Sequence, residues 1–200
     1  MSEAVDKYSY LALGDSYTIG ESVLPEENFP SQTVALLKDF AAPRIIAKTG
    51  WTTDELDAAI DAANISATFD LVTLLIGVNN QYRGRSVSEY KTQFDHLLQR
   101  AIHFSGNKTK RVFVLSIPDW GVTPFADGQD RPKIAAAIDA YNATAKLICE
   151  QHHVVFIDIT TTQRIDGNKK EFLAADGLHP SGKEYAKWAE KLSIAVKKEI

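Results

Sequence analysis

Cysteine is almost missing from this chain: Cys149 is the only one in 200 residues. No disulfide can close within the chain, and a reducing compartment is the simpler expectation. Long apolar runs are missing as well. None approaches the roughly 20 residues that span a bilayer, so no membrane span is expected. The segment Met1-Ser2-Glu3-Ala4-Val5-Asp6-Lys7 lacks the basic stretch followed by an apolar one that marks a secretory leader. With the lone thiol, this makes the cytoplasm the expected location. Positive charge is in deficit, with 22 Lys and Arg against 26 Asp and Glu and a net charge of −4. That balance offers nothing to nucleic acid or to an anionic membrane surface. Metal-ligand spacings are absent too: there is no HxxxH, no CxxC and no dense carboxylate cluster, so no metal is expected. Gly14-Asp15-Ser16 lacks the spacing and the Lys-Ser/Thr ending of a phosphate loop, and no cofactor is expected.

What remains is an ordinary globular composition, 44% apolar and 24% charged, long enough for one domain over residues 1–200 with a sizeable core. Short β-rich runs alternate with helical patterns. Tyr8–Leu13 reads as a strand. Phe29–Phe40 carries Val34, Leu36, Leu37 and Phe40 at helical spacing. Arg44–Lys48 is a second short strand. Thr53 or Asp54 caps a helix through Ala63, with Leu56, Ala59, Ile60 and Ala63 on one face. The continuous apolar run Leu71–Ile76 suits a strand covered on both faces. Ser86 or Ser88 starts a helix with Phe94, Leu97, Leu98, Ala101 and Ile102 inward. Val112–Leu115 is the fourth strand, Ile134–Glu150 a helix, Val154–Ile157 the fifth strand. A last helix begins near Ser181. The stretches Gly77–Arg85, Ile117–Arg131 and Thr160–Asp176 read as irregular. This alternation predicts right-handed crossovers and a parallel sheet. The expected fold is a flavodoxin-like three-layer α/β/α sandwich on a five-stranded parallel sheet.

In open α/β sheets the chemistry gathers beyond the carboxyl ends of the strands. On that edge the sequence places Ser16, Gly50, Asn79, Asp119 and Trp120. The Asp176-Gly177-Leu178-His179 stretch precedes the final helix. A serine hydroxyl becomes a useful nucleophile when a nearby base takes its proton and a third group orients the base. Ser16, His179 and Asp176 can fill those roles, which reads as a serine hydrolase. Each also has a plain structural use: Ser16 as a loop or cap residue, Asp176 as the head of an Asp-Gly turn, Gly50 and Asn79 as turn residues.

Four blocks occur in order: Leu13-Gly14-Asp15-Ser16-Tyr17-Thr18, Lys48-Thr49-Gly50-Trp51-Thr52-Thr53, Ile76-Gly77-Val78-Asn79-Asn80, and Asp176-Gly177-Leu178-His179-Pro180. Together they resemble the SGNH hydrolases, the GDSL-type esterases and lipases, over nearly the whole chain. The resemblance implies that Ser16 attacks an acyl carbonyl, that His179 is its base and that Asp176 orients the ring. It implies an oxyanion hole made by the Ser16 and Gly50 backbone N–H groups and the Asn79 side-chain amide. A tetrahedral intermediate needs such donors because it places negative charge on the carbonyl oxygen. The family's third block usually ends Gly-x-Asn-Asp. Here Asn80 takes the place of the Asp, copying its acceptor geometry without its charge.

Trp51 and Trp120 are expected to line an acyl pocket. With no long loop to form a tunnel, the expected substrate is a small-molecule ester with a short acyl group, such as acetyl, on a carbohydrate or other small alcohol. The polar loop Asp127–Arg131 offers groups to a sugar. The alternatives are a lysophospholipase or thioesterase-type lipolytic hydrolase, and a catalytically silent binding domain of the same fold. A receiver or nucleotide-binding protein would need an acidic cluster that Asp15 and Asn79-Asn80 do not supply.

Overall fold

The structure, a computed structural model, describes residues 7–200; Met1–Asp6, read above for a leader pattern, lie outside the described residues. Five strands form one all-parallel sheet: β1 (Tyr10–Gly14), β2 (Arg44–Ala47), β3 (Leu71–Leu75), β4 (Val112–Leu115) and β5 (Val155–Ile157). Their spatial order is β2-β1-β3-β4-β5, the flavodoxin-like order expected. β1 and β3 pair directly, with Gly14 opposite Leu75. Every residue of both strands is buried, as the apolar run 71–76 required.

Among the described residues, eight α-helices accompany the strands. α1 (Ser16–Ile19) and α2 (Phe29–Leu37) follow β1, and α3 (Thr53–Ala62) follows β2. α4 (Val78–Tyr82) and α5 (Val87–Phe104) follow β3, and α6 (Arg131–Gln151) follows β4. α7 (Thr160–Asp166) and α8 (Gly182–Glu199) complete the chain. α2 packs on α8, while α3, α5 and α6 pack side by side, which gives a helix layer on each face. No helix among the described residues is long and apolar enough to cross a membrane.

Several boundaries move for physical reasons. β1 begins at Tyr10 rather than Tyr8, because the Ser9 amide and hydroxyl are both held by the Asp70 carboxylate at 2.9 Å. α2 stops at Leu37, where Lys38 turns to φ 65°. Leu36 is then exposed, and Phe40 pairs instead with Tyr8 in an isolated bridge. All three stretches read as irregular contain helical turns: α4 and α7 lie in two of them, and short 3-10 turns at Trp120–Val122 and Pro124–Ala126 in the third. Ser181 precedes α8 as expected, but its hydroxyl donates to the Glu171 carbonyl, 2.7 Å away, instead of capping the helix. His152 closes α6 and its ring lies 2.6 Å from Asp95 of α5, so it joins two helices as well as ending one.

The sheet order reverses direction at β1 and β3. Ligand sites form at such a switch point, and two of the four sequence blocks leave the sheet there.

Candidate active site

β1 runs straight into a tight turn. Asp15 precedes α1, and its Oδ1 accepts the Tyr17 amide at 3.0 Å. Ser16 is the first residue of the helix, only 4% exposed. Its backbone N–H is one of the amides a helix start leaves without an internal partner. Gly14 is required because a β-carbon there would collide with the Thr18 hydroxyl and the Leu75 carbonyl. The Asp15 carboxyl is fully buried, and its Oδ2 has no hydrogen-bond partner among the described residues. Burial pushes its pKa up to about 7, against the pull of the Tyr17 amide.

His179 sits in a different kind of setting. Asp176 Oδ1 accepts the amides of Leu178 and His179, both at 2.9 Å. Its Oδ2 meets His179 Nδ1 at 2.6 Å and the Ser22 hydroxyl at 2.7 Å. Partial burial would raise this carboxyl, but the hydrogen bonds from the His179 ring, the two amides and Ser22 outweigh it and bring it down to about 2. A carboxylate on Nδ1 leaves Nε2 as the nitrogen that faces chemistry. The loop is braced from below: the Ala174 amide donates to the His179 carbonyl at 2.8 Å, and Leu173 bridges Pro180. The His179 ring packs on Tyr17, centroids 5.4 Å apart, so the loop rests on the residue after Ser16.

Gly50 adopts φ +86°, a conformation that costs most residues dearly and glycine little. Its carbonyl accepts Arg83 Nη2 at 2.7 Å, which fixes the turn from outside. Asn79 stands on α4, where its Nδ2 donates to the Trp51 carbonyl at 2.9 Å. An amide nitrogen carries two hydrogens, so one stays available. Asn80 is wholly buried: its Oδ1 accepts the Thr53 amide at 3.1 Å and its Nδ2 donates to the Thr53 hydroxyl at 2.7 Å. That hydroxyl passes its own proton to Gln93 Oε1. The chain of bonds fits an amide at position 80, since a carboxylate would compete for the hydroxyl proton.

These pieces share one cleft of about 170 Å³, lined by Ser16, Gly50, Asn79 and His179. No hydrogen bond joins the Ser16 hydroxyl to His179 among the described residues; such contacts commonly tighten only around substrate. Of the two expected pocket tryptophans, Trp120 lines the cleft and Trp51 does not. The Trp51 side chain is half-buried against the core, and its carbonyl holds Asn79. Tyr82 and Phe125, absent from the sequence reading, complete an aromatic wall with Trp120. Their ring centroids lie 5.3 to 6.3 Å apart. Tyr82 was discoverable as the residue one helical turn beyond Asn79. Phe125 had no comparable signal. In the polar loop, Asp127 pairs with Arg131 at 2.7 Å and Asp130 caps α6, and none of its residues lines the cleft.

Residues 12–187 match the model of the GDSL-like lipase/acylhydrolase family. The chain belongs to that family. It is thus a GDSL-type ester hydrolase. Solved structures of similar fold include a lipolytic G-D-S-L protein from Veillonella parvula, at 17% identity and TM-score 0.74, covering 96% of this chain and 99% of that one. The lipase/acylhydrolase from Enterococcus faecalis is 21% identical, with TM-score 0.74 and 96% of each chain covered. Axe2, an acetylxylan esterase from Geobacillus stearothermophilus, is 18% identical, with TM-score 0.72, covering 97% of this chain and 96% of that one. A search of curated protein sequences gave no match.

Proposed function

We propose that this GDSL-type hydrolase cleaves short-acyl esters, acetyl above all, of a sugar or other small alcohol through an acyl-enzyme at Ser16. The observation that carries this reading is one cleft holding Ser16 and His179 with Gly50 and Asn79, while Asp176 grips the far side of the His179 ring. Ser16 Oγ attacks the carbonyl carbon as His179 Nε2 takes its proton. Asp176 keeps the ring in the required tautomer and stabilises the imidazolium. The carbonyl oxygen gathers negative charge between the Ser16 N–H, the Gly50 N–H and the spare hydrogen of Asn79 Nδ2. One such donor is worth about 3–4 kcal/mol in the transition state. The imidazolium then protonates the departing alcohol, and water activated by His179 releases the acid.

The short-acyl preference is supported by the aromatic wall. Trp120, Tyr82 and Phe125 close a cleft of only about 170 Å³. A fluorophosphonate probe followed by peptide mass spectrometry tests the nucleophile: Ser16 carries the label, and Ser16→Ala carries none. Labelling that survives the substitution refutes the assignment. A 4-nitrophenyl ester series tests the acyl group, with highest kcat/KM expected at two to four carbons. An optimum at eight or more would favour a lipolytic role instead.

A further inference from the structure

The wall that ends the cleft has a second side. A larger depression, about 780 Å³, lies beyond it, with Tyr82 and Trp120 lining both spaces. The far space has apolar groups from Val87, Ile134, Ala137 and Tyr141, with Arg85 and Lys133 also bordering it.

The two shared residues are held very differently. Trp120 is 5% exposed, and its indole N–H donates to Gln81 Oε1 at 2.8 Å. Tyr82 is 54% exposed, ends the five-residue α4, and its hydroxyl makes no hydrogen bond among the described residues. An edge contact with Trp120 and a tilted one with Phe125 are what hold its ring.

On the tetrahedral carbon, His179 serves the Ser16 oxygen and the leaving oxygen, and the donors serve the oxyanion. That leaves the apolar part of the cleft, lined in part by Tyr82, for the acyl substituent. We propose that Tyr82 is the residue that limits acyl length, a ring shared by the small catalytic cleft and the larger groove beside it. This rests on the esterase reading above and adds to it a residue and a direction.

The test compares wild type, Tyr82→Ala, Tyr82→Leu and Tyr82→Phe on 4-nitrophenyl esters from two to twelve carbons, and on acetates of alcohols of increasing size. The aliphatic variants are expected to raise the eight-to-two-carbon ratio of kcat/KM about tenfold or more, the discrimination a few methylenes give in an apolar pocket. Tyr82→Phe, which keeps the ring, should follow the wild-type profile. The alcohol series should be the same in all four proteins. Melting temperatures identify a variant that fails to fold, and Tyr82→Leu, with more side chain retained, then decides. If wild type turns over esters but the ratio stays put, or the response appears in the alcohol series, the gate falls and the esterase stands. If wild type turns over no ester, both fall together.

Discussion

The turn that carries Ser16 and the loop that carries His179 face each other across one cleft, yet they are fixed by opposite means. The Ser16 turn is set from inside. Gly14, Asp15, Ser16 and Thr18 are all buried, backed by two strands of the sheet, and the geometry leaves no room for a β-carbon at Gly14. The His179 loop is set by hydrogen bonds near the surface, with four donors converging on a partly exposed Asp176. Steric exclusion holds Ser16, and a charged acceptor holds His179. Damage to the first should therefore show up in folding, and damage to the second in turnover.

Asp176→Asn sharpens this contrast most. It keeps the shape but leaves His179 in the wrong tautomer, and kcat is expected to fall by about 10⁴, a far larger loss than the accompanying drop in stability to urea. A variant that unfolds in parallel with its lost activity would break the comparison. Gly14→Ala should do the reverse. Its methyl group must displace Thr18 or the Leu75 strand, at a cost of about 3 kcal/mol for overpacking a tight site, read as a lower urea midpoint. An unchanged midpoint would mean that the turn is softer than its packing implies.

Asp15 gives an effect that depends on pH. Its carboxyl has a pKa of about 7 in the folded chain, above the ordinary value of about 3.9. The folded state thus holds this proton more tightly than the unfolded one, and stability falls as pH rises from about 4 to about 7. Asp15→Asn keeps an oxygen for the Tyr17 amide and removes the titration. Relative to wild type, it should gain stability between pH 5 and pH 8 in urea melts. Asp176 runs the other way: lowered to about 2, it stays ionised through mild acid, and its contribution fades only as pH falls from about 4 toward 2.

The parts of the fold that were legible in the sequence are those set by local pattern. The five strands announced themselves as apolar runs, and α5 and α6 by their periodic faces. The Gly-Asp-Ser and Asp-x-x-His blocks were legible because their spacing serves a mechanical purpose. The short helices were not. α7 begins with three threonines, poor helix formers, and it forms because its Gln163 and Arg164 are needed elsewhere. Gln163 bonds both the amide and the carbonyl of Asp119, and Arg164 pairs with the Asp119 carboxylate at 2.8 Å. Those contacts steady the turn that presents Trp120. The pocket was half-read for the same reason. Trp51 stands inside a motif and Trp120 follows a strand, but only tertiary packing decides which ring turns into the cleft.

Asn80 has a consequence for how the molecule meets acid and alkali. From that amide through Thr53 to Gln93, every link beneath Asn79 is electrically neutral. No titrant can add or remove a proton there across the whole working range. The platform beside Asn79 is indifferent to acidity, so whatever bounds the enzyme's operating window must come from elsewhere in its architecture.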